Sequence, residues 1–384
     1  MTEQNEFAEA VRSLLAAHYE NVTARNAVSD TELGFSEEVW NALGEMNVQG
    51  LVFPEEFGGL EASVEDLAAV LAEVGRVLAP EPLLDAVFIP GFLVERLGTD
   101  EQKTRILNPL STGELKLALA HEEYGSRWPA IRTETTVAGG KLTGKKYPVA
   151  AGPSADLLVV SAKQENGSLG LYLVDAKADG VTSVSYPTND ERRGAEITFD
   201  GAAAELLGTG ADVDEALADM YVYAQILQGA ETVGSMREGL KITVAYIKQR
   251  EQFGKPLAVH QTLQHRASDL HVLNELTANL VVQAVETLAK GEFDKKIASQ
   301  VKLQLGRAGT QAAEQYVQMH GGIGITFEYP ISHYLSRMVA ATRTYGSTED
   351  HLRVLAVWIS VLASRAKRRS PHGGGRFRVR VAPA

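Results

Sequence analysis

One stretch limits the architecture more than any other: EALADMYVYAQILQGAETVGSMREGLKITVAYIKQREQFG, beginning at Glu215, keeps helical spacing to Gly254 without a proline. A second, EFDKKIASQVKLQLGRAGTQAAEQYVQMHGG, does the same from Glu292 to Gly322. Rods of this length bury their apolar faces by lying side by side, so the pattern predicts an antiparallel four-helix bundle over residues 213–364. Ahead of it, short runs such as LKLALAH, LLVVSA, LGLYLVDA and AEITFD alternate with AGGK, ENGS and DGAA turns. They predict a compact antiparallel β-domain over 113–212. Helical spacing also governs the start, as in VEDLAAVLAEVGRVLA, which gives an α-helical domain over 1–112. The fold class expected is α+β in the order α, β, α. The end, 365–384, carries seven Lys and Arg and no acid among Gly and Pro, and reads as a disordered basic tail.

Charge and cysteine content exclude several functions. The net charge of −12 argues against a nonspecific nucleic-acid binder and against a membrane-surface protein, both of which need basic fields. No apolar run approaches the roughly 20 residues of a membrane span, and MTEQNEFAEAVRSLLAAHY lacks the apolar core of a signal peptide. With no cysteine there is no disulfide, no thiolate nucleophile and no cysteine-bound metal. A cytoplasmic protein without a metal is expected.

Two motifs carry binding chemistry. REQFGKPLAVHQ sets Arg250 and Phe253 at the end of one long helix and Gln261 at the start of the next. Arginine offers a fixed fork of donors for a diphosphate, phenylalanine a flat apolar face, and glutamine an amide for a heterocycle or ribose. QMHGGIGITFEYP places Gln318 just before Gly321 and Gly322, which allow backbone to approach a ligand closely. No strand precedes these glycines and no G-x-G-x-x-G is present, so this is not a Rossmann fingerprint.

Together, in this order and spacing over about residues 5 to 363, the two motifs and the α, β, α order resemble the acyl-CoA dehydrogenase family. The resemblance implies a flavoenzyme that oxidises acyl-CoA thioesters between the α and β carbons and passes electrons to an electron-transfer flavoprotein. It implies FAD held by Arg250, Phe253 and Gln261, with Gln318, Gly321 and Gly322 facing the adenosine end of a neighbouring subunit's FAD. Gly125, Ser126 and Thr348 match further cofactor-facing positions. Such a site needs an oligomer.

The resemblance also implies a base, and here the sequence departs from the family. Most members carry a Glu after an aromatic residue in a turn resembling Tyr-Glu-Gly-Thr; this chain has Tyr345, Gly346, Ser347 and Thr348. Other members carry the Glu on the first bundle helix, where this chain has Ala224. Glu349 is the nearest substitute, but Ser347 and Asp350 fit a capping box that would put Glu349 in a helix first turn, where the dipole lowers basicity. Glu231 reads as a buried, hydrogen-bonded helix residue. On the flavin side, HEEYGS puts His121 near the position of a family Thr, as a donor to flavin or as a histidine salt-bridged to the acids beside it. KKYPVAAG puts Pro148, Val149 and Ala150 where an aromatic, a hydrophobic and a hydroxyl residue commonly stand. The motifs ALAHEEYGSRW, YPTND, RRGAEI, GAETVGSM and GSTEDHL are most similar to the small subunit of pimeloyl-CoA dehydrogenase and related heteromeric members. That similarity implies a homologous, Glu-bearing partner chain. A self-sufficient homotetramer with an atypical base, and a scaffold without FAD, are the alternatives.

Overall fold

Residues 3–368 are described by the computed structural model, so the tail expected at 365–384 lies, from residue 369 on, outside the described residues. Six helices come first: α1 (Glu3–Tyr19), α2 (Val22–Ser29), α3 (Glu37–Glu45), α4 (Val64–Val77), α5 (Ile89–Leu97) and α6 (Asp100–Ser111). Their starts are written in the sequence. Ser63 with Asp66 and Thr99 with Gln102 form reciprocal capping boxes at α4 and α6, satisfying amides that a helix start leaves free. A one-turn π-helix, Leu84–Phe88, leads into α5.

An eight-stranded sheet follows: β1 (Leu117–Ala120), β2 (Thr136–Ala138), β3 (Lys141–Ala150), β4 (Leu157–Lys163), β5 (Leu169–Asp175), β6 (Val181–Pro187), β7 (Arg193–Ala203) and β8 (Glu205–Thr209). The spatial order is β6-β7-β3-β2-β4-β5-β8, with β1 beside β4. The expectation of a purely antiparallel domain needs correction, because β1 and β2 both pair with β4 in parallel. Turns join hairpin neighbours such as β4 and β5, whereas intervening chain brings β4 back alongside β1 and β2 in the same direction. Buried apolar residues from these strands, Leu142, Val160, Ile197 and Phe199 among them, make a separate core.

The C-terminal helices are α7 (Ala211–Gln249), α8 (Gln261–Ala289), α9 (Lys295–Gln304), α10 (Thr310–His320), α11 (Pro330–Ala341) and α12 (Thr348–Arg368). A π-turn, Leu305–Gly309, joins α9 to α10. Every residue of α7 from Met220 to Met236 is buried, and the polar ones among them, Gln225, Gln228, Glu231 and Ser235, find hydrogen-bond partners there. Its contact with α4 is backbone to backbone. A Cβ at Gly75 would lie 1.8 Å from the Glu231 carbonyl oxygen, and one at Gly234 would lie 1.9 Å from that of Ala72. Ser235 Oγ donates to the Gly75 carbonyl at 2.8 Å, so the N-terminal helices and the bundle share one interior.

The hairpin between β6 and β7 clamps the three parts together with four consecutive side chains. Asp190 pairs with Arg337 of α11 at 3.2 Å. Glu191 takes Arg25 of α2 at 2.6 Å and also contacts His333 of α11. Arg192 pairs with Glu231 of α7 at 2.6 Å, and Arg193 donates to the carbonyls of Ser29 and Thr31 at 2.9 and 2.7 Å. Among the described residues, no helix is long and apolar enough to cross a membrane.

Candidate active site

A cavity of about 940 Å³ opens where the three parts meet. One wall is the sheet edge carrying Leu119, His121, Pro148 and Ala150; facing it are Met220 and Tyr221 of α7. The π-helix contributes Leu84 and Asp85, and the turn between α11 and α12 contributes Thr344, Tyr345 and Gly346. Behind these stand the paired charges Asp190, Arg192, Glu231 and Arg337.

The turn at Gly346 is held rigidly. Tyr345 has φ +56° and Gly346 φ +106°. The Tyr345 carbonyl accepts from Gln225 Nε2 at 3.0 Å and from His351 Nε2 at 3.1 Å, and the Tyr345 hydroxyl donates to Asp85. Lys302, buried beneath, donates to Gln228 Oε1 at 2.6 Å, to Thr344 O at 2.7 Å and to Ala341 O. Burial draws its pKa down to about 7, while the three oxygens around Nζ favour the ammonium. At Gly346 a Cβ would lie 2.4 Å from Trp128 Cε3 and 2.6 Å from His351 Nε2; those two rings stack with centroids 4.2 Å apart. The space that a side chain would need is already filled.

Ala224 is sealed in the core and offers no carboxylate. Ser347 and Asp350 form the capping box: Ser347 Oγ donates to Asp350 Oδ2 at 2.6 Å, and the Asp350 amide donates back to Oγ at 3.3 Å. Glu349 is exposed and is not among the cavity-lining residues. Thr348, half-buried, packs against Gly306. Two carboxylates that sequence reasoning missed do line the cavity: Asp85 and Glu122, both pushed up by burial. Asp85 belongs to no recognisable motif, Glu122 stands in HEEYGS only as an acid beside His121, and their shared surroundings arise only in three dimensions. Glu231 is buried as expected, accepting from Arg192 at 2.6 Å and Arg337 at 2.8 Å.

His121 is not salt-bridged to its neighbouring acids. Its Nδ1 lies 2.8 Å from Ser161 Oγ, and burial together with nearby Lys146 lowers its pKa to about 3, leaving it neutral. Glu123 turns away to Lys146 Nζ at 2.6 Å. Gly125 is exposed with φ +70°, and buried Ser126 accepts from the Arg132 amide.

The remaining expected residues gather outside the cavity at one end of the bundle. Arg250 caps α7, Gln261 begins α8, and the short hairpin between them carries Phe253, 97% exposed with φ +53°. Gln318, Gly321 and Gly322 lie on the surface where α10 ends, next to the same end of α7: His320 stacks on Tyr246 at 4.4 Å, and Tyr246 Oη donates to the His320 carbonyl at 3.2 Å. The two motifs are thus neighbours within one subunit.

Comparison with known proteins gives the family. Residues 1–114 match the N-terminal domain of acyl-CoA dehydrogenases and residues 209–360 match the C-terminal domain. Acyl-CoA dehydrogenase IpdE2 of Mycobacterium tuberculosis strain H37Rv is 30% identical over 361 residues, 93% of this chain and 98% of the relative. This chain is a member of the acyl-CoA dehydrogenase family. Among solved structures, a variant of the Tcur3481-Tcur3483 steroid ACAD is 29% identical with a TM-score of 0.85, covering 94% of this chain and 99% of the other. Butyryl-CoA dehydrogenase from Megasphaera elsdenii, 21% identical with a TM-score of 0.85 over 94% of this chain and 99% of that one, shares the fold. Acyl-CoA dehydrogenases are FAD-dependent oxidoreductases acting on CH–CH donors. The residues present suit a flavin: the sheet wall of the cavity carries a buried imidazole, a planar Tyr221 faces that wall, and Phe253 leaves a bare aromatic ring at the bundle end.

Proposed function

We propose that this chain is the base-less subunit of a heteromeric acyl-CoA dehydrogenase, binding FAD and shaping the site while a homologous partner supplies the catalytic Glu. Bound FAD supplies the hydride acceptor for the β-hydrogen of an acyl-CoA thioester. Arg250, with Phe253 and Gln261, would hold its diphosphate end. Gln318, Gly321 and Gly322 serve the adenosine end across a subunit boundary. His121, Gly125, Ser126 and Thr348 belong to the flavin side. No side chain here takes the α-proton from position 346 or 224.

The observation that carries this reading is Gly346, whose missing side chain is replaced in space by Trp128 and His351. Residues from two of the motifs that resemble heteromeric small subunits therefore occupy the base's room. The exposed Phe253, Ile323 and Ile325 at the bundle end support an oligomer. Within the family, the motifs favour the small-subunit type of pimeloyl-CoA dehydrogenase, and the similarity to the Tcur3481-Tcur3483 steroid ACAD adds steroid thioesters to the substrates worth testing. An electron-transfer flavoprotein is the acceptor this reading implies. The experiment is purification from the source cell, followed by turnover of the isolated chain over dicarboxylyl, medium-chain and steroid side-chain thioesters. A homologous, Glu-bearing chain should co-purify, and the isolated chain should be inactive.

A second reading has one observation in its favour. Asp85 is a half-buried cavity carboxylate bonded by the residue adjoining Gly346. Activity of the isolated chain that Asp85→Asn abolishes would establish it as the atypical base of a self-sufficient enzyme.

A further inference from the structure

Beside the flavin-facing wall runs a buried chain of four polar groups whose hydrogen bonds can be assigned one by one. Lys146 of β3 is fully buried, and its ammonium is donor only. Nζ lies 2.6 Å from Glu123 Oε1, 3.0 Å from Ser161 Oγ and 3.2 Å from the His121 carbonyl, one acceptor for each hydrogen. Glu123 is held ionised for this contact: Thr135 donates to Oε1 through its amide at 3.1 Å and its hydroxyl at 2.8 Å, and the Glu134 amide donates to Oε2 at 2.6 Å. Ser161 Oγ therefore accepts from Lys146, and its single hydrogen has two candidate acceptors. His121 Nδ1 is at 2.8 Å and the His121 carbonyl, already taken by Lys146, is at 3.4 Å. The hydrogen goes to Nδ1. A neutral imidazole that accepts at Nδ1 carries its own hydrogen on Nε2.

His121 is 5% exposed, lines the cavity, and no protein partner among the described residues meets Nε2. We infer that Lys146 and Ser161 are positioning residues that lock His121 as an Nε2–H donor facing the cavity, aimed at an acceptor atom of a planar heteroaromatic ring. The target rests on the reading that the chain binds FAD; the tautomer does not. The donor would take over a task that Ala150, on the same wall and without a hydroxyl, cannot perform. Around the ring stand Lys146 and Glu123 on one side and Glu122 with Tyr221 on the other. Burial and the Lys146 charge oppose protonation of the ring, so the donor persists as long as Lys146 keeps its proton, which burial makes it hold up to about 8.

The test is nitrogen-15 NMR of histidine-labelled full chain, with His121 assigned by its loss in His121→Gln. The expected signature is a protonated Nε2 and an unprotonated Nδ1, unchanged from pH 5 to 7, below the value of about 8 to which burial lowers Lys146. Ser161→Ala should release Nδ1 and mix the tautomers, and Ser161→Thr should restore the wild-type signature. Lys146→Met should raise the pH at which the ring takes up a proton. Added FAD should shift the Nε2–H resonance in wild type. An Nδ1–H tautomer, titration between pH 5 and 7, or a Ser161→Ala spectrum identical to wild type would overturn the positioning role. Bound flavin, seen by absorbance, that leaves the Nε2–H signal unmoved would overturn the donor's target. Failure to retain any flavin would sink the cofactor reading instead, and the tautomer result would be judged separately.

Discussion

Restoring the family's carboxylate by Gly346→Glu should fail, for reasons that have magnitudes. The backbone there has φ +106°, a conformation that costs a side-chain-bearing residue on the order of 1–3 kcal/mol. The first carbon added meets Trp128 at 2.4 Å and His351 at 2.6 Å, and overpacking of that kind costs typically about 1–3 kcal/mol. The sum, roughly 2–6 kcal/mol, is a large part of an ordinary folding free energy. Both contributions act at Cβ, so Gly346→Ala should already carry most of the loss. The assay is denaturant unfolding of wild type, Gly346→Ala, Gly346→Glu and each combined with Trp128→Ala. Removing Trp128 should return the packing share, about 1–3 kcal/mol, and leave the backbone share, giving a clear coupling between the two sites. In parallel, acyl-CoA should not bleach the flavin of Gly346→Glu under anaerobic conditions. A Gly346→Ala variant as stable as wild type would refute the steric account, and rapid bleaching by Gly346→Glu would show that only the carboxylate had been missing.

Other outcomes follow from single groups. Glu231→Ala leaves the half-buried Arg192 and the buried Arg337 without their shared partner, with Asp190 still beside Arg337, and should cost up to about 3–5 kcal/mol, read as a lowered denaturant midpoint. Glu81, buried and bonded by Tyr19, is pushed up to about 7 by burial. The folded state therefore holds a proton that the unfolded chain releases near 4.5, and this contribution is full below 4.5 and lost as pH rises through 7. Glu81→Gln should remove that slope and raise stability at pH 8 by up to about 3 kcal/mol, checked by melts across pH 4 to 8. Arg250→Ala should weaken FAD retention by roughly 1.5–3 kcal/mol, measured by flavin absorbance after gel filtration; unchanged retention would remove Arg250 from the cofactor site.

What the sequence disclosed depended on range. Helical spacing in α7 and the capping boxes of α4 and α6 are local, and the order of helices and strands could be read from them. The positive φ of Gly346 was also foreseeable, because glycine in a turn running into a capped helix invites it. Trp128 and His351 were not, since each reaches Gly346 from a different element and only the fold brings the rings together. The charged run Asp190 to Arg193 could be quoted as a motif but not explained: Glu231 is 39 residues from Arg192, and Arg337 is 106 from Glu231. The two parallel pairings of β4 were missed for a related reason, as strand direction depends on where intervening chain returns. His121 misled because its sequence neighbours are acids, whereas its hydrogen-bond partner is 40 residues away.

The clamp formed by the β6–β7 hairpin also sets an order of events as the chain leaves the ribosome. Arg193 finds the carbonyls of Ser29 and Thr31 already made, and Glu191 finds Arg25. Arg192 must wait for Glu231, and Asp190 for Arg337. Until α11 emerges, part of the hairpin's charge is better left in water than buried. Closure of the nascent protein is therefore delayed to its last helices. A chain truncated before residue 337 should stay open and protease-sensitive in all three parts, instead of losing only its end.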